Sequence, residues 1–260
     1  MLRGKNAIVT GSTSGIGLGI ATSLADAGMN VMLNGLGDPE EIERTRAELD
    51  AGASGQVRFD GADMTKREAI EGLVEATAEA FGSVDVLVNN VGVQHVAPIE
   101  AFPPEKFELV VALNLSAAFY ATRAAFAGMK RQGFGRVINV ASAHGLVASP
   151  FKSAYVATKH GLVGLTKAVA LEGAEHGITV NAICPGYVLT PLVEGQIPDT
   201  AEARGMTEDE VKRDVLLAAQ PTKQFVTTEQ IGALAVFLCG ASAASITGAA
   251  LPVDGGWTAQ

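Results

Sequence analysis

The chain has only two cysteines, Cys184 and Cys239, so it cannot build a disulfide framework, and a reducing compartment is expected. It has four histidines, His95, His144, His160 and His176, and no two show ligand spacing, so no metal site is expected. Cations are outnumbered, 19 Lys and Arg against 28 Asp and Glu, for a net charge of −9. Nothing in that balance draws a polyanion, which excludes nucleic acid as an expected partner. The start, MLRGKNAIVTG, has too short an apolar stretch for a secretory signal. No apolar run approaches the roughly 18 residues of a membrane span. A cytoplasmic protein with no membrane partner is expected. Internal repeats, low-complexity tracts and linkers are also missing.

What is present is an ordinary globular composition, 48% hydrophobic and 18% charged, with enough residues to bury a sizeable core. Short apolar runs alternate with longer helical stretches. The runs are AIVT (7–10), NVMLN (30–34), QVRFD (56–60), VDVLVNN (84–90), GRVINVAS (135–142), ITVNAICPG (178–186) and ALPVDGG (250–256). Most are continuous rather than alternating, as strands buried on both faces are. The pattern predicts an α/β fold of the Rossmann type: a doubly wound, seven-stranded parallel sheet with helices on both faces. One domain over 1–260 is expected. Only 187–226 breaks the rhythm, and it is read as a small helical lid inserted after strand six.

TGSTSGIG (10–17) follows the first strand and opens the first helix. Glycines at 11, 15 and 17 let backbone turn tightly and approach a pyrophosphate, with the helix N-terminus facing the anion. The spacing is a variant of the dinucleotide fingerprint. A 2′-phosphate would call for Arg or Lys beside the loop or at the end of strand two. The loop offers Ser12, Thr13 and Ser14, and strand two runs into NGLGD with no cation before Arg44. The expected cofactor is therefore NAD. The strand-end acid that would hold the ribose is also missing: Leu36 stands near its place, and Asp38 is a possible substitute.

In FKSAYVATKH (151–160), Lys152, Tyr155 and Lys159 stand at i−3, i and i+4 of a helical stretch, on one face. Such spacing occurs by chance on solvated helices, and alone it decides nothing.

Taken together, these motifs resemble the short-chain dehydrogenase/reductase family over essentially the whole chain. TGSTSGIG resembles its cofactor loop, NNVG (89–92) its NNAG motif, CPGYVLTP (184–191) its PG segment and DGG (254–256) its C-terminal turn. Ser142, Tyr155 and Lys159 match its serine and Y-x-x-x-K, and Asn114 its catalytic asparagine. The resemblance implies Tyr155 as general base, Lys159 lowering its pKa with the help of the cationic nicotinamide and holding the nicotinamide ribose, Ser142 bonding the substrate oxygen, and Asn114 holding a water that links Lys159 to solvent. It implies that Gly11, Thr13, Ser14, Gly15, Ile16 and Gly17 cradle the dinucleotide. Leu36, Asp63, Met64, Asn90 and Gly92 would line its adenosine half and centre, and Pro185, Gly186 and Val188 its nicotinamide end. A homotetramer is implied, with the helix of Tyr155 and the one before it as contact elements.

The family motif does not need Gln94, His144, Lys152 or Gln196. All four fit a substrate with a carboxylate, which needs charge and hydrogen-bond compensation on leaving water. The resemblance narrows to members that oxidise D-3-hydroxybutyrate to acetoacetate with NAD; the D configuration rests on it alone. Tyr187 stands where tryptophan would be expected against the substrate's methyl end, which leaves chain length open. Two alternatives stay open: a family member acting on a 3-oxoacyl thioester, sugar or polyol, and a dinucleotide-binding sensor without turnover.

Overall fold

The computed structural model describes residues 2–260, except for the side chains of Leu192, Gln196, Asp199, Thr200, Ala203 and Arg204. Seven strands form where the apolar runs predict: β1 (Asn6–Val9), β2 (Asn30–Asn34), β3 (Val57–Asp60), β4 (Val86–Asn89), β5 (Gly135–Val140), β6 (Ile178–Pro185) and β7 (Ala250–Val253). Four of them, β1, β4, β5 and β6, are buried at every residue, which is why they read as continuous runs. They pair in parallel in the order β3-β2-β1-β4-β5-β6-β7. The order reverses between β1 and β4, and the crevice beyond their C-terminal ends is where such sheets take ligands.

Helices cover both faces. On one lie α1 (Gly15–Asp26), α2 (Pro39–Gly52) and, further along the chain, α9 (Thr228–Cys239). There Ile20, Leu24, Ile231 and Leu238 pack on Val9, Val31 and Leu33. On the other lie α3 (Arg67–Phe81), α4 (Pro104–Val111), α5 (Ala117–Gln132) and α6 (Ser153–Gly173). There Ile70, Leu73, Ala121, Ala125 and Met129 pack on Ile8, Leu87 and Val137. Each large aliphatic side chain fully buried this way contributes about 1.5–3 kcal/mol.

A π turn, Ala112–Ser116, joins α4 to α5, so 104–132 is one continuous helix with a local bulge. By length and composition this helix qualifies as a membrane span, with a mean hydropathy of 1.4 over an 18-residue window, which amends the sequence expectation that no stretch does. Its apolar face is a core face: Ala117, Ala121, Ala125 and Met129 are buried against the sheet, and Arg123 pairs outward with Glu71 at 2.7 Å.

The stretch after β6 is helical, as expected: α7 (Pro191–Arg204), the short α8 (Glu208–Glu210) and a π turn, Val211–Leu216. Ile197, Ala201 and Val211 form a small apolar cluster there, with Met206, Val215 and Leu216 packed against it. A single bridge, Val188 to Val226, closes the base of the excursion.

Candidate active site and cofactor cradle

The loop between β1 and α1 takes its shape from glycine. Gly11 (φ +61°) and Gly15 (φ +56°) occupy the left-handed region, which costs other residues roughly 1–2 kcal/mol. Gly17 is helical, but a Cβ there would collide with the Gly11 carbonyl. Asn90 Nδ2 donates to the carbonyls of Thr10 (2.9 Å) and Gly11 (2.8 Å), and Thr10 Oγ1 accepts from the N–H groups of Asn90 and Val91. Asn90, expected at the cofactor, thus has its amide committed to clamping the loop. Ser14 is the N-cap of α1 without a side-chain cap bond, and the first turn holds no acid. The positive end of the helix is left open toward the loop, as an anion requires.

At the end of β2, Asn34 is fully buried and Leu36 is 70% exposed. Asp38 has one carboxylate oxygen engaged as the cap of α2, accepting from the N–H groups of Glu40 (2.9 Å) and Glu41 (3.1 Å). Its hydrogen bonds are those of a helix cap and use that one oxygen. Asp38, Glu40 and Glu41 make this corner acidic. Asp63 accepts from the hydroxyl and N–H of Thr65, which hold its carboxyl below the usual range, and Met64 beside it is buried. The glycine loop with its open helix end, and the polar corner beside it, fit a dinucleotide.

Ser142 lies just past β5, nearly buried, and its Oγ accepts from the His144 N–H at 3.1 Å. Tyr155 projects from the first turns of α6. Lys159, one turn on, is 4% exposed, donates from Nζ to the Val140 carbonyl at 2.8 Å, and stands 5.6 Å from the Tyr155 ring centre. Burial brings this ammonium down to about 8. The phenol moves the other way: burial raises Tyr155 above its ordinary value, and the Ser142 hydroxyl only partly opposes that. The expected lowering belongs to the site with the cationic nicotinamide in place; in the protein alone, burial sets the direction of the phenol's shift.

Asn114 sits in the π turn, buried. Its Oδ1 accepts from the Val93 N–H (2.8 Å) and its Nδ2 donates to the Val93 carbonyl (2.9 Å). A Cβ on Gly92 would come within 3.0 Å of that Oδ1, so the loop after β4 is pressed on the helix. The Asn114 side chain is a clamp on this loop.

His144 is 4% exposed, with its Nε2 2.9 Å from the Ser149 Oγ. Its ring meets Tyr155 (5.9 Å between centres) and Trp257 (5.0 Å) edge-on. Burial, then the charge of Lys152, pushes its pKa down to about 4, so at neutral pH it is a neutral hydrogen-bonding group. Lys152 is the N-cap of α6 rather than a member of it, which corrects the i−3 placement. Its ammonium lies 5.9 Å from the centre of the Tyr187 ring, and burial lowers its pKa. Among the described residues no carboxylate stands within ion-pairing distance of it. The Tyr187 ring stacks on Trp257, 5.9 Å apart and 3° from parallel.

The structure thus brings His144, Lys152, Tyr155 and Tyr187 together. Gln94 is exposed on the loop after β4. The Ala97 N–H on that loop donates to the Phe151 carbonyl (3.0 Å), next to Lys152. The Gln196 side chain lies outside the described residues. Pro185 ends β6, Gly186 donates to the Val253 carbonyl, and Val188 forms the bridge at the base of the excursion. Cys184 is buried in β6 with its thiol pushed up to about 11, as a packed and unreactive group. Sequence reasoning missed Trp257. Its signal was there, as the single tryptophan directly after the DGG turn.

A doubly wound sheet with a glycine loop at its reversal point and serine, tyrosine and lysine beside it defines an oxidoreductase that uses a nicotinamide dinucleotide. The short chain dehydrogenase family model matches residues 5–201. The D-beta-hydroxybutyrate dehydrogenase of Rhizobium meliloti is 58% identical over 256 residues, covering 98% of this chain and 99% of that one. The enzyme of that name from Cupriavidus necator is 53% identical over the full length of both. Among solved structures, an actinorhodin polyketide ketoreductase variant with NADPH superposes at a TM-score of 0.90 with 36% identity, covering 98% of each chain. The chain belongs to the short-chain dehydrogenase family.

Proposed function

We propose that the protein interconverts D-3-hydroxybutyrate and acetoacetate with NAD. The observation that carries the reading is Lys152: a half-buried ammonium with no carboxylate partner among the described residues, beside a neutral histidine and an aromatic wall. A small carboxylate would supply the missing charge. The names of the two relatives above 50% identity point to the same acid.

The dinucleotide, when bound, accepts the hydride. In that direction Tyr155 takes the proton of the substrate hydroxyl, and Ser142 donates to the substrate oxygen as charge develops on it. In reduction, Tyr155 gives the proton back to the ketone oxygen. Lys159, a cation below about 8, stands next to the phenol and favours its ionised form once a charge beside it requires one. Asn114 holds the Val93 loop against the helix, keeping Gly92 and Lys159 in register, and a water held at its turn would link Lys159 to solvent. Gln94 and Gln196 complete the carboxylate site, and the helical segment after β6 closes over the substrate and excludes water.

The acidic corner of Asp38, Glu40 and Glu41, with no cation before Arg44, repels a 2′-phosphate and favours NAD over NADP. The chain acts as one domain in the cytoplasm and assembles as a homotetramer. The α4–α5 and α6 faces carry exposed Phe107, Phe119 and Leu171, which such contacts would cover.

The test is NADH formation from D-3-hydroxybutyrate, with the L enantiomer, a longer 3-hydroxy acid and NADP in parallel. Turnover of the D acid with NAD supports the reading. Turnover of neutral alcohols alone would leave the catalytic residues standing and remove the carboxylate site. NAD binding without any turnover would favour a sensor.

A further inference from the structure

We propose that Gln220 is a positioning residue that holds the Tyr187–Trp257 wall in place while the helical segment before it moves. The proposal rests on the placement of Tyr187 at the substrate pocket argued above. Gln220 is fully buried, at 0% exposure. Its Oε1 accepts from the Tyr187 N–H, and its Nε2 donates to the Gln224 carbonyl at 2.8 Å.

Three stretches of chain, distant in sequence, meet on this one amide. The first is the exit of β6. A Cβ on Gly186 would collide with the Gln220 Oε1 and lie 2.9 Å from the Asp254 Cα, so that glycine is what lets the amide in. The second is the return limb of the helical excursion. Lys223 takes a left-handed conformation there (φ +51°) and donates from Nζ to the carbonyls of Leu217 and Ala218 at 2.9 Å each. The third is the C-terminal turn. A Cβ on Gly255 would lie 3.3 Å from the Gln220 Nε2, and the Thr222 N–H donates to the Gly255 carbonyl at 3.2 Å. In that turn Asp254 accepts from the Gly256 and Thr258 N–H groups and the Thr258 hydroxyl, which sets Trp257 against Tyr187.

The consequence is mechanical. Residues 191–216 have their own small apolar cluster and lie between the Thr190 cap and this knot. They can rearrange as one piece while the amide keeps the Tyr187 backbone, and hence the stacked wall, where it is. The site needs a neutral group that donates on one side and accepts on the other, and glutamine supplies that at any pH.

A glutamate at this position does so only when protonated; ionised, it points charge at the Gln224 carbonyl. Other titratable groups near the amide and the wall are His144, Lys152, Tyr187, Lys223 and Asp254. Comparison with the unmodified protein at each pH cancels their contribution. The experiment therefore uses Gln220→Glu and Gln220→Met from about pH 5 to about 9, with the emission of the single tryptophan, Trp257, as a reporter that needs no substrate. Glu should match the parent at the acid end. As pH rises its emission should shift and its KM for D-3-hydroxybutyrate increase about tenfold, with the Kd for NAD within about twofold. Met should show the high-pH behaviour throughout. Parent-like emission and KM for both variants at every pH would overturn the proposal. So would joint loss of far-UV circular dichroism and NAD binding, since the amide would then hold the whole domain rather than the wall. If the parent protein fails to oxidise the acid, the substrate reading fails; the emission titration, read without substrate, still decides the role of Gln220.

Discussion

His144 should make the folded protein lose stability over a defined acid range. Its pKa falls from 6.5 to about 4 on folding, mainly through burial and secondarily through the charge of Lys152. Above 6.5 the imidazole is neutral in both states and the linkage is silent. Between 6.5 and about 4 the unfolded chain binds a proton that the folded one refuses, so stability falls as pH falls. The displacement is worth about 3 kcal/mol when complete, at 1.36 kcal/mol per pH unit. Carboxylates titrate in part of the same range, so the informative quantity is a difference. Urea unfolding at fixed protomer concentration, for the parent protein and His144→Gln, should give curves whose separation changes by about 3 kcal/mol between about pH 7 and about pH 4. The variant should be the flatter. Parallel curves, with a constant offset from lost packing, would show that the ring is not held neutral and refute the argument.

Three further outcomes are expected. Lys152→Met should raise the KM for D-3-hydroxybutyrate about 10- to 100-fold, because the carboxylate loses a charged donor, while steady-state kcat stays within a few-fold. Because burial holds the Tyr155 phenol protonated above its ordinary range, oxidation, which needs the phenolate, should speed up as pH rises; acetoacetate reduction, which needs the phenol, should slow. Initial rates in both directions across pH check this, and Tyr155→Phe should reduce both by about 10²- to 10⁴-fold. Leu36→Arg, at the exposed end of β2, should shift the NAD to NADP ratio of kcat/KM toward NADP by about tenfold, measured with the two cofactors side by side.

What could be read from the sequence was what is local. The strands were legible because a parallel sheet buries both faces of β1, β4, β5 and β6, and so writes unbroken apolar runs. The glycine loop was legible because two of its three glycines need a positive φ and the third has no room for a side chain, and spacing alone shows that. Lys152 was misplaced by one position because an N-cap and a first-turn residue look alike in a helical pattern: its carbonyl still accepts from the Val156 N–H, though its own φ of −123° is outside the helix. Asp38, a possible substitute for the ribose acid, also caps the helix that follows through one carboxylate oxygen, a local role that the DPEE sequence itself encodes.

The roles of Trp257 and Gln220 at Tyr187 were missed for a different reason. Each acts on Tyr187 across tens of residues, and no periodicity links β6, the return limb and the C-terminal turn. The same distance explains the pKa of Tyr155. A Tyr and Lys four apart invite the inference that the ammonium acidifies the phenol, since the two share a helix face. In the fold the ammonium is bonded to the Val140 carbonyl, a strand residue 19 positions away, and the phenol lies beside Ser142 and His144 from the segment after β5. Burial raises the phenol above its ordinary value, so the tyrosine is a proton donor in the protein alone. A motif therefore identifies which groups do the chemistry. Which protonation state they rest in is set by the packing around them, and that is contributed by residues the motif does not contain.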